Sequence, residues 1–491
     1  LNVALPTLAR HFHADNSGLQ WIVDAYTLVL AGLLLTAGSL GDRFGRRRCL
    51  TIGLIVFGTS SIASALAGSS AQLTATRAVM GIGAALIMPA TLSIITDVFT
   101  VASERAMAIA VWAGVAALGI GLGPLVGGWL LQRFYWGSIF LVNVPVVIVA
   151  VVGGRLLIPE SRDPRAFRLD PVGAVLSLGG LSALLFAIIE GPSTGWSSPQ
   201  ITGAFVAAAV GLGGFVLWEL RVEEPMLDLR FFRNPRFTAA SAAISAVFFG
   251  LFSLMFVLTQ LLQSVLDYDA LEAGVRVLPL SLMLIVVAPL SARAASIVGT
   301  KVVVALGLFT LAVGLLVTST FGQESGYGRL AVAITLAGIG MGCAMAPATE
   351  SIMGSLPRHK AGVGSAVNDT TRMMGGALGV AIVGSVLSSS YQSGLVGRLK
   401  GLNLPAPAQD TAGASIGAAM AAANDLGGTG GDQLRAVARQ AFVQAAGRGL
   451  LVAAAVAVMG GIVVLAFLPP RASGPDDVEA SNAPRVGKDA A

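Results

Sequence analysis

Four charged residues stand inside stretches otherwise too apolar for them. Asp24 lies in Trp21-Ile22-Val23-Asp24-Ala25-Tyr26, Arg77 in Leu73-Thr-Ala-Thr-Arg77-Ala-Val-Met-Gly81-Ile-Gly83, and Asp369 and Arg372 in Val367-Asn368-Asp369-Thr-Thr-Arg372. An ionised Asp24 beside Trp21 and Tyr26 would offer charge and π-faces to an organic cation. A carboxyl within an apolar span is also a candidate proton carrier, which makes Asp369 the second site of interest and leaves Asp24 open to both roles. Competing readings exist for each. Asp24 is close enough to a span end to be an interfacial acid wetted from outside. Arg372, three residues from Asp369, can lock it in a local ion pair. An intramembrane arginine is expensive and usually functional, but Arg77, about a turn from a span boundary, can also reach the interface with its head group. Trp112, Met255, Met373 and Met374 are candidates for lining an adaptable pocket. Glu190, Glu219 and Glu350, at span ends, read as boundary residues.

The elements that hold these residues follow from composition. Of 491 residues, 55% are hydrophobic and only 12% are charged, about half the charged fraction of a soluble domain. Such a chain is solvated by lipid. A helix needs about 20 apolar residues to cross the hydrocarbon core. Runs of that kind lie near 20–40, 49–68, 72–94, 105–131, 136–157, 171–190, 199–219, 237–262, 273–292, 301–320, 329–350, 364–389 and 448–468. These are thirteen complete spans, and residues 1–10 read as the tail of one more, so fourteen are expected in the intact protein. The chain opens at Leu1 inside an apolar segment, and the native N-terminus is expected to lie upstream. Arginines concentrate in alternate short connections: Arg43, Arg46, Arg47 and Arg48; Arg162, Arg165 and Arg168; Arg221, Arg230, Arg233 and Arg236. By the positive-inside rule those connections, and the tail beyond Pro469, face the cytoplasm. Residues 391–447 then form a long external segment with a helical patch near 433–446, and 471–491 a polar disordered tail.

Several function classes are excluded by what is missing. Cys49 and Cys343 are far apart, and His11, His13 and His359 lie in loops, so there is neither a disulfide framework nor a metal site. No nucleophile–base pair suggests an enzyme. The net charge of +5 is spread over loops rather than forming a stripe, which argues against nucleic acid. No G-x-x-x-x-G-K-[ST] loop is present, so ATP is not expected as the energy source and no cofactor is required. A membrane potential supplies about 2.3 kcal/mol per charge per 100 mV, so a proton gradient suffices.

Two ordered motifs carry a family resemblance. The first, Gly38-Ser-Leu-Gly-Asp42-Arg43-Phe-Gly45-Arg46-Arg47-Arg48, resembles the signature loop of the major facilitator superfamily. Gly38 and Gly45 would allow close helix approach and a tight turn, Asp42 would pair with a neighbouring group in one conformation only, and the arginines would anchor the loop at an anionic leaflet. The second, Gly119-Ile-Gly-Leu-Gly123-Pro124-Leu-Val-Gly127-Gly128, resembles the motif of that superfamily's antiporter branches. Its glycines flatten a helix face for close packing, and Pro124 bends the helix.

The resemblance covers essentially the whole chain and is most specific to the fourteen-span drug:proton antiporters of the EmrB/QacA type. It implies an all-α polytopic membrane protein made of two six-helix bundles with two extra central spans. The expected division is 1–157 for the first bundle, 158–236 for the extra spans and linkers, 237–469 for the second bundle with its 391–447 insertion, and 470–491 for the tail. It further implies that Arg77 couples proton movement, that Asp24 contributes to recognising cationic drugs, and that Asp369 matches a glutamate of span thirteen. One departure stands out: the stretch Leu278–Leu284 lacks the acid of the tenth span, so monovalent lipophilic cations are expected rather than dications. The chain is thus expected to be a monomeric, proton-coupled exporter in the bacterial inner membrane, in contact with lipid, its partners being small amphipathic molecules and protons. Export of an endogenous antibiotic or siderophore, and a sensor that has lost transport, are the alternatives.

Overall fold

The computed structural model describes residues 1–99, 108, 115, 119, 122–161, 170–223, 225, 227, 229–322, 326–355, 361–399 and 405–469. Regular structure among them is entirely helical. Polar residues and glycines punctuate the apolar runs. Asp15 caps α2 (Asn16–Phe44), its carboxylate accepting from the Gly18 amide at 2.8 Å. Ser69 caps α4 (Ser70–Val98), and Asp170 and Ser198 cap α8 (Pro171–Thr194) and α9 (Pro199–Glu219), each followed by a proline in the first turn. Asn234 caps α10 (Pro235–Gln260), which continues through a π-helical turn at Leu261–Val265. Asp269 and Glu272 form a reciprocal capping box on α11 (Ala270–Val298). Gly45, which ends α2 and opens α3 (Arg46–Ala65), and Gly299, which separates α11 from α12 (Thr300–Ser319), have φ of 113° and 98°. Both turns need a residue without a Cβ.

The remaining helices are a short α1 (Leu5–Phe12), α5 (122–133), α6 (Ser138–Leu141), α7 (Asn143–Leu157), α13 (Tyr327–Met353), α14 (Ala361–Leu399), α15 (Ala406–Ala414), α16 (Ile416–Leu426) and α17 (Gly428–Phe467). Among the described residues, 12 helices are long and apolar enough to cross a membrane. They coincide with the runs read from the sequence except 105–131, most of which lies outside the described residues. The tail 471–491 and the loop arginines Arg162, Arg165 and Arg168 also lie outside them.

Helices α2, α3, α4 and α7 pack on one another, and so do α10 to α14 and α17. The joint between these groups is α2 against α14, with α8 laid across both. The segment 391–447 departs from its expected form. Its first residues prolong α14 and its last ones begin α17, with α15 and α16 folded between them. Tyr391, Leu395, Leu434, Ala438 and Phe442 are fully or almost fully buried there, and the Tyr391 hydroxyl donates to the Ala412 carbonyl at 3.0 Å. The helical patch expected near 433–446 is part of α17, and the alanines around it suit closely packed helices, since small side chains let helix backbones approach.

Candidate functional site

Successive residues of an α-helix turn by about 100°, so Asn16, Gln20 and Asp24 stack along one side of α2. Asp24 is fully buried, and neither carboxylate oxygen has a hydrogen-bond partner among the described residues. Its surroundings follow from the turns on either side. Gln20 lies against Gly384 of α14, where an added Cβ would come within 2.5 Å of its Cδ. Leu28 packs with Leu181, Leu185 and Ile189 of α8 and with Ala377 and Ala381 of α14. Asp24 therefore sits where α2, α8 and α14 meet. A buried unpaired polar group costs about 1–3 kcal/mol, and a charged one more. Such a cost is retained mainly where the group has work to do.

Of the two aromatic residues expected to frame a cation with Asp24, Trp21 faces the same α8 wall and Tyr26 does not. Trp21 turns to α8, its Nε1 donating to Glu190 Oε1 at 3.0 Å, and Ser193 Oγ donates to the other Glu190 oxygen at 3.1 Å. Tyr26 points about 200° around the helix from Asp24, and its ring is covered by the Arg77 guanidinium at 4.3 Å. Arg77 Nε also donates to the Ile22 carbonyl at 3.1 Å. With 8% of its surface exposed, Arg77 is held inside by α2 and does not extend to the interface. A glutamate read as a boundary residue, Glu190, is thus tied to the candidate site. The spacing of Trp21 and Asp24 could not reveal it, because the contact joins residues 169 positions apart.

Asp369 is paired with Arg372 at 3.7 Å, the local ion pair weighed from the sequence. Arg372 also donates to Thr349 Oγ1 at 3.1 Å and lies over the Phe248 ring at 5.4 Å. Trp112 lies outside the described residues.

At the end of the molecule that carries the basic loops, Gly45 makes the tight turn expected of it, and a Cβ there would run into the Glu160 carboxylate. Gly38 does not mediate close approach: a Cβ would meet Pro89 at 3.7 Å, an ordinary contact. The loop arginines are also engaged differently from expectation. Arg46 pairs with Asp97 at 3.4 Å, and Arg47 and Arg48 each lie 3.6 Å from Glu160. Arg47 donates to the Ile158 carbonyl at 3.0 Å as well. The loop is thus clamped to the ends of α4 and α7. Arg43 is exposed, over the Phe44 ring at 5.7 Å. The Asp42 side chain lies outside the described part of the structure.

At the opposite end, α5 meets α11 backbone to backbone. A Cβ on Gly128 would strike the Ala270 carbonyl oxygen and come within 2.8 Å of Leu271 Cα, and one on Gly274 would strike the carbonyl of Pro124. Gly119, Gly123 and Gly127 have no described atom within 4 Å of an added Cβ. The motif therefore makes its close contact through its last glycine and Pro124, against a partner glycine in a different span. Beside this seam is a cavity of about 620 Å³ with Arg10, Gln132, Asp267, Asp269 and Arg439 in its wall. Gln132 donates to Asp269 at 3.1 Å, and Arg439 pairs with Asp267 and donates to the Ser264 carbonyl at 3.0 Å.

Twelve candidate spans among the described residues and a buried carboxyl where helices of both groups meet describe a polytopic membrane protein. The chain belongs to the Major Facilitator Superfamily, whose model matches residues 1–380. It is 37% identical over 469 residues to the multidrug efflux pump LfrA of Mycolicibacterium smegmatis, covering 94% of this chain and 92% of that one. It is 32% identical to the tetracenomycin C resistance and export protein of Streptomyces glaucescens, covering 94% and 87%. Among solved structures, a bacterial homologue of the human lysosomal transporter Spinster superposes with a TM-score of 0.64 at 18% identity, covering 95% of this chain and 94% of that one. That likeness concerns the fold.

Proposed function

We propose that this protein is a proton-coupled antiporter of the fourteen-span type, exporting small amphipathic, cationic drugs across the bacterial cytoplasmic membrane by alternating access. The observation that carries the proposal is Asp24: a wholly buried carboxyl without a hydrogen-bond partner among the described residues, at the joint where α2, α8 and α14 meet. Such a group can be neutralised by a proton or by a cationic ligand, and exchange of one for the other is the elementary step of antiport. Asp369 is the second proton site: ionised, it pairs with Arg372, and it takes up a proton from water and returns it there while Arg372 stays charged. Arg77 holds α2 against α4. Drug export draws support from relatives named for multidrug efflux that match along nearly the whole chain. In this reading the basic-loop end faces the cytoplasm and the α5–α11 seam closes the outer side. Rocking of the two helix groups about the α2–α14 joint would open each end in turn.

A second reading, export of an endogenous antibiotic, is favoured by the relative named for tetracenomycin C resistance and export. The test uses inside-out vesicles with an interior-acid gradient and a quenched pH dye. Addition of ethidium releases protons in the parent protein, and both Asp24→Asn and Asp369→Asn abolish the release. Absence of release with any organic cation overturns the cationic-drug reading and leaves the metabolite one.

A further inference from the structure

The side of α2 that carries Asp24 is polar from the start of the helix to that residue. Asn16, Gln20 and Asp24 recur every four residues, which places them on one face. All three are at most 1% exposed. Neither amide atom of Asn16, the Oε1 of Gln20, nor either oxygen of Asp24 has a hydrogen-bond partner among the described residues. Gln20 spends its amide nitrogen on the Asn16 carbonyl at 3.1 Å, which leaves its oxygen free.

The facing wall has matching features. Gln20 rests on Gly384, where any side chain would displace it. One turn further along α14 is Ser388, a buried hydroxyl on the same face. Because α2 and α14 run antiparallel, Ser388 comes level with Asn16. Asn16 is the first residue of its helix, next to the partly exposed Asp15 and Ser17. The stripe therefore begins at the boundary of the span and ends at the carboxyl.

Charged groups on the helices packed around α2 are occupied elsewhere. Arg77 on α4 is committed to Ile22 and Tyr26, Glu190 on α8 to Trp21 and Ser193, and Asp369 and Arg372 on α14 to one another. The basic residues of α3 lie at the other end. Five buried polar atoms in a row, without protein partners among the described residues, are the pattern that ordered water satisfies.

We propose that Asn16, Gln20 and Asp24 line a hydrated proton path along the α2–α14 seam, from the outer boundary of α2 to the Asp24 carboxylate. The amides do not carry the charge. Their oxygens and N–H groups hold water in file, and a proton entering from the outer solvent passes by rearrangement of those hydrogen bonds to one Asp24 oxygen. It leaves that oxygen when the other end of the joint opens. Gln20 and Asn16 are thus positioning residues for the proton and make no contact with the drug. The inference rests on the proton-coupled reading above.

The test combines Gln20→Leu with thiol labelling, in the complete transporter reconstituted into vesicles. Gln20→Leu keeps the volume and removes the polar atoms. Ethidium binding and ethidium–ethidium exchange, which need no net proton movement, stay within about twofold of the parent, while transport driven by a proton gradient falls at least about tenfold. Gln20→Asn, which can still hold water, restores most of the driven rate. In a Cys49→Ser, Cys343→Ser background, Asn16→Cys and Gln20→Cys react with a small membrane-impermeant thiol reagent added from outside. Undiminished driven transport in Gln20→Leu overturns the proposal. So does parallel loss of exchange and driven transport without rescue by Gln20→Asn, and so does failure of both cysteines to label. If the parent protein moves no protons with substrate, the antiport reading has failed instead, and labelling alone decides whether the path is wet.

Discussion

Adding one methyl group at Gly274 should open the outer seam. A Cβ there would strike the Pro124 carbonyl oxygen, with the carbonyl carbon at 2.9 Å and the Leu125 nitrogen at 3.3 Å. All three are backbone atoms, so no side chain can swing aside, and α5 and α11 must part by about 1 Å to restore ordinary contact. Overpacking of this kind costs about 1–3 kcal/mol. Leu131 of α5 packs against the cluster that holds Ala65 and Leu73 of the first group, and α11 belongs to the second, so the contact joins the two helix groups and the cost falls on the state in which that side is closed. At about 1.4 kcal/mol per tenfold, Gly274→Ala shifts the equilibrium toward the outward-open state by about 5- to 150-fold. Gly128→Ala, aimed at Ala270 and Leu271, acts from the other side of the same contact. Gly123→Ala and Gly127→Ala, with no described atom within 4 Å, serve as controls and leave the equilibrium alone. The readout is a cysteine placed at Val277, one turn below Gly274 and buried in the parent, probed with an impermeant maleimide. Its labelling rate rises in Gly274→Ala by the same factor, while steady-state export falls. An unchanged labelling rate, or an equal rise in Gly123→Ala, would refute the reasoning.

Two shorter predictions concern the groups that brace α2. Gly45→Ala forces a side chain into a left-handed conformation at about 1–2 kcal/mol and into the Glu160 carboxylate. Its melting midpoint should drop, and adding Glu160→Ala should recover only the steric part. Arg77→Lys keeps the charge, but a compact ammonium cannot both donate to the Ile22 carbonyl and cover the Tyr26 ring as the planar guanidinium does. Transport should fall about tenfold with little change in substrate binding, and full activity in Arg77→Lys would show that charge alone matters there.

The helices were legible because their signals are local. Apolar length, a capping Ser, Asp or Asn, a first-turn proline and a terminal glycine fall within one run of sequence, and 12 of the expected spans stand where those signals put them. The site was legible only in its parts. Asp24 and Arg77 drew notice because their charge is out of place, and both are buried. Their partners were not readable: Arg77 binds a backbone carbonyl and a ring on another helix, Trp21 binds Glu190, and the glycine motif closes on Gly274, each through long-range packing that leaves no local pattern. At 391–447 the helical patch expected near 433–446 lies within α17, but the helices on either side of it were not read from composition. At Arg46–Arg48 the run of positive charge did not reveal its acidic partners, Asp97 and Glu160, which come from distant parts of the chain.

The two longest helices, α14 with 39 residues and α17 with 40, are each about 60 Å long at 1.5 Å per residue, twice the roughly 30 Å of hydrocarbon they must cross. The parts of them that exceed that thickness and carry α15 and α16 form a stiff turret, braced by the edge-to-face packing of Tyr391 and Phe442. The turret belongs to the second helix group, yet α16 touches α1, and Ser415 donates to the Ala14 carbonyl at 3.1 Å. A small tilt of α14 within the bilayer is thereby magnified into a displacement of the turret tip relative to α1, in water and away from the permeation path. An antibody fragment or a fluorophore pair fixed to that tip would act as the pointer of a gauge, reporting the transporter's state without entering the membrane.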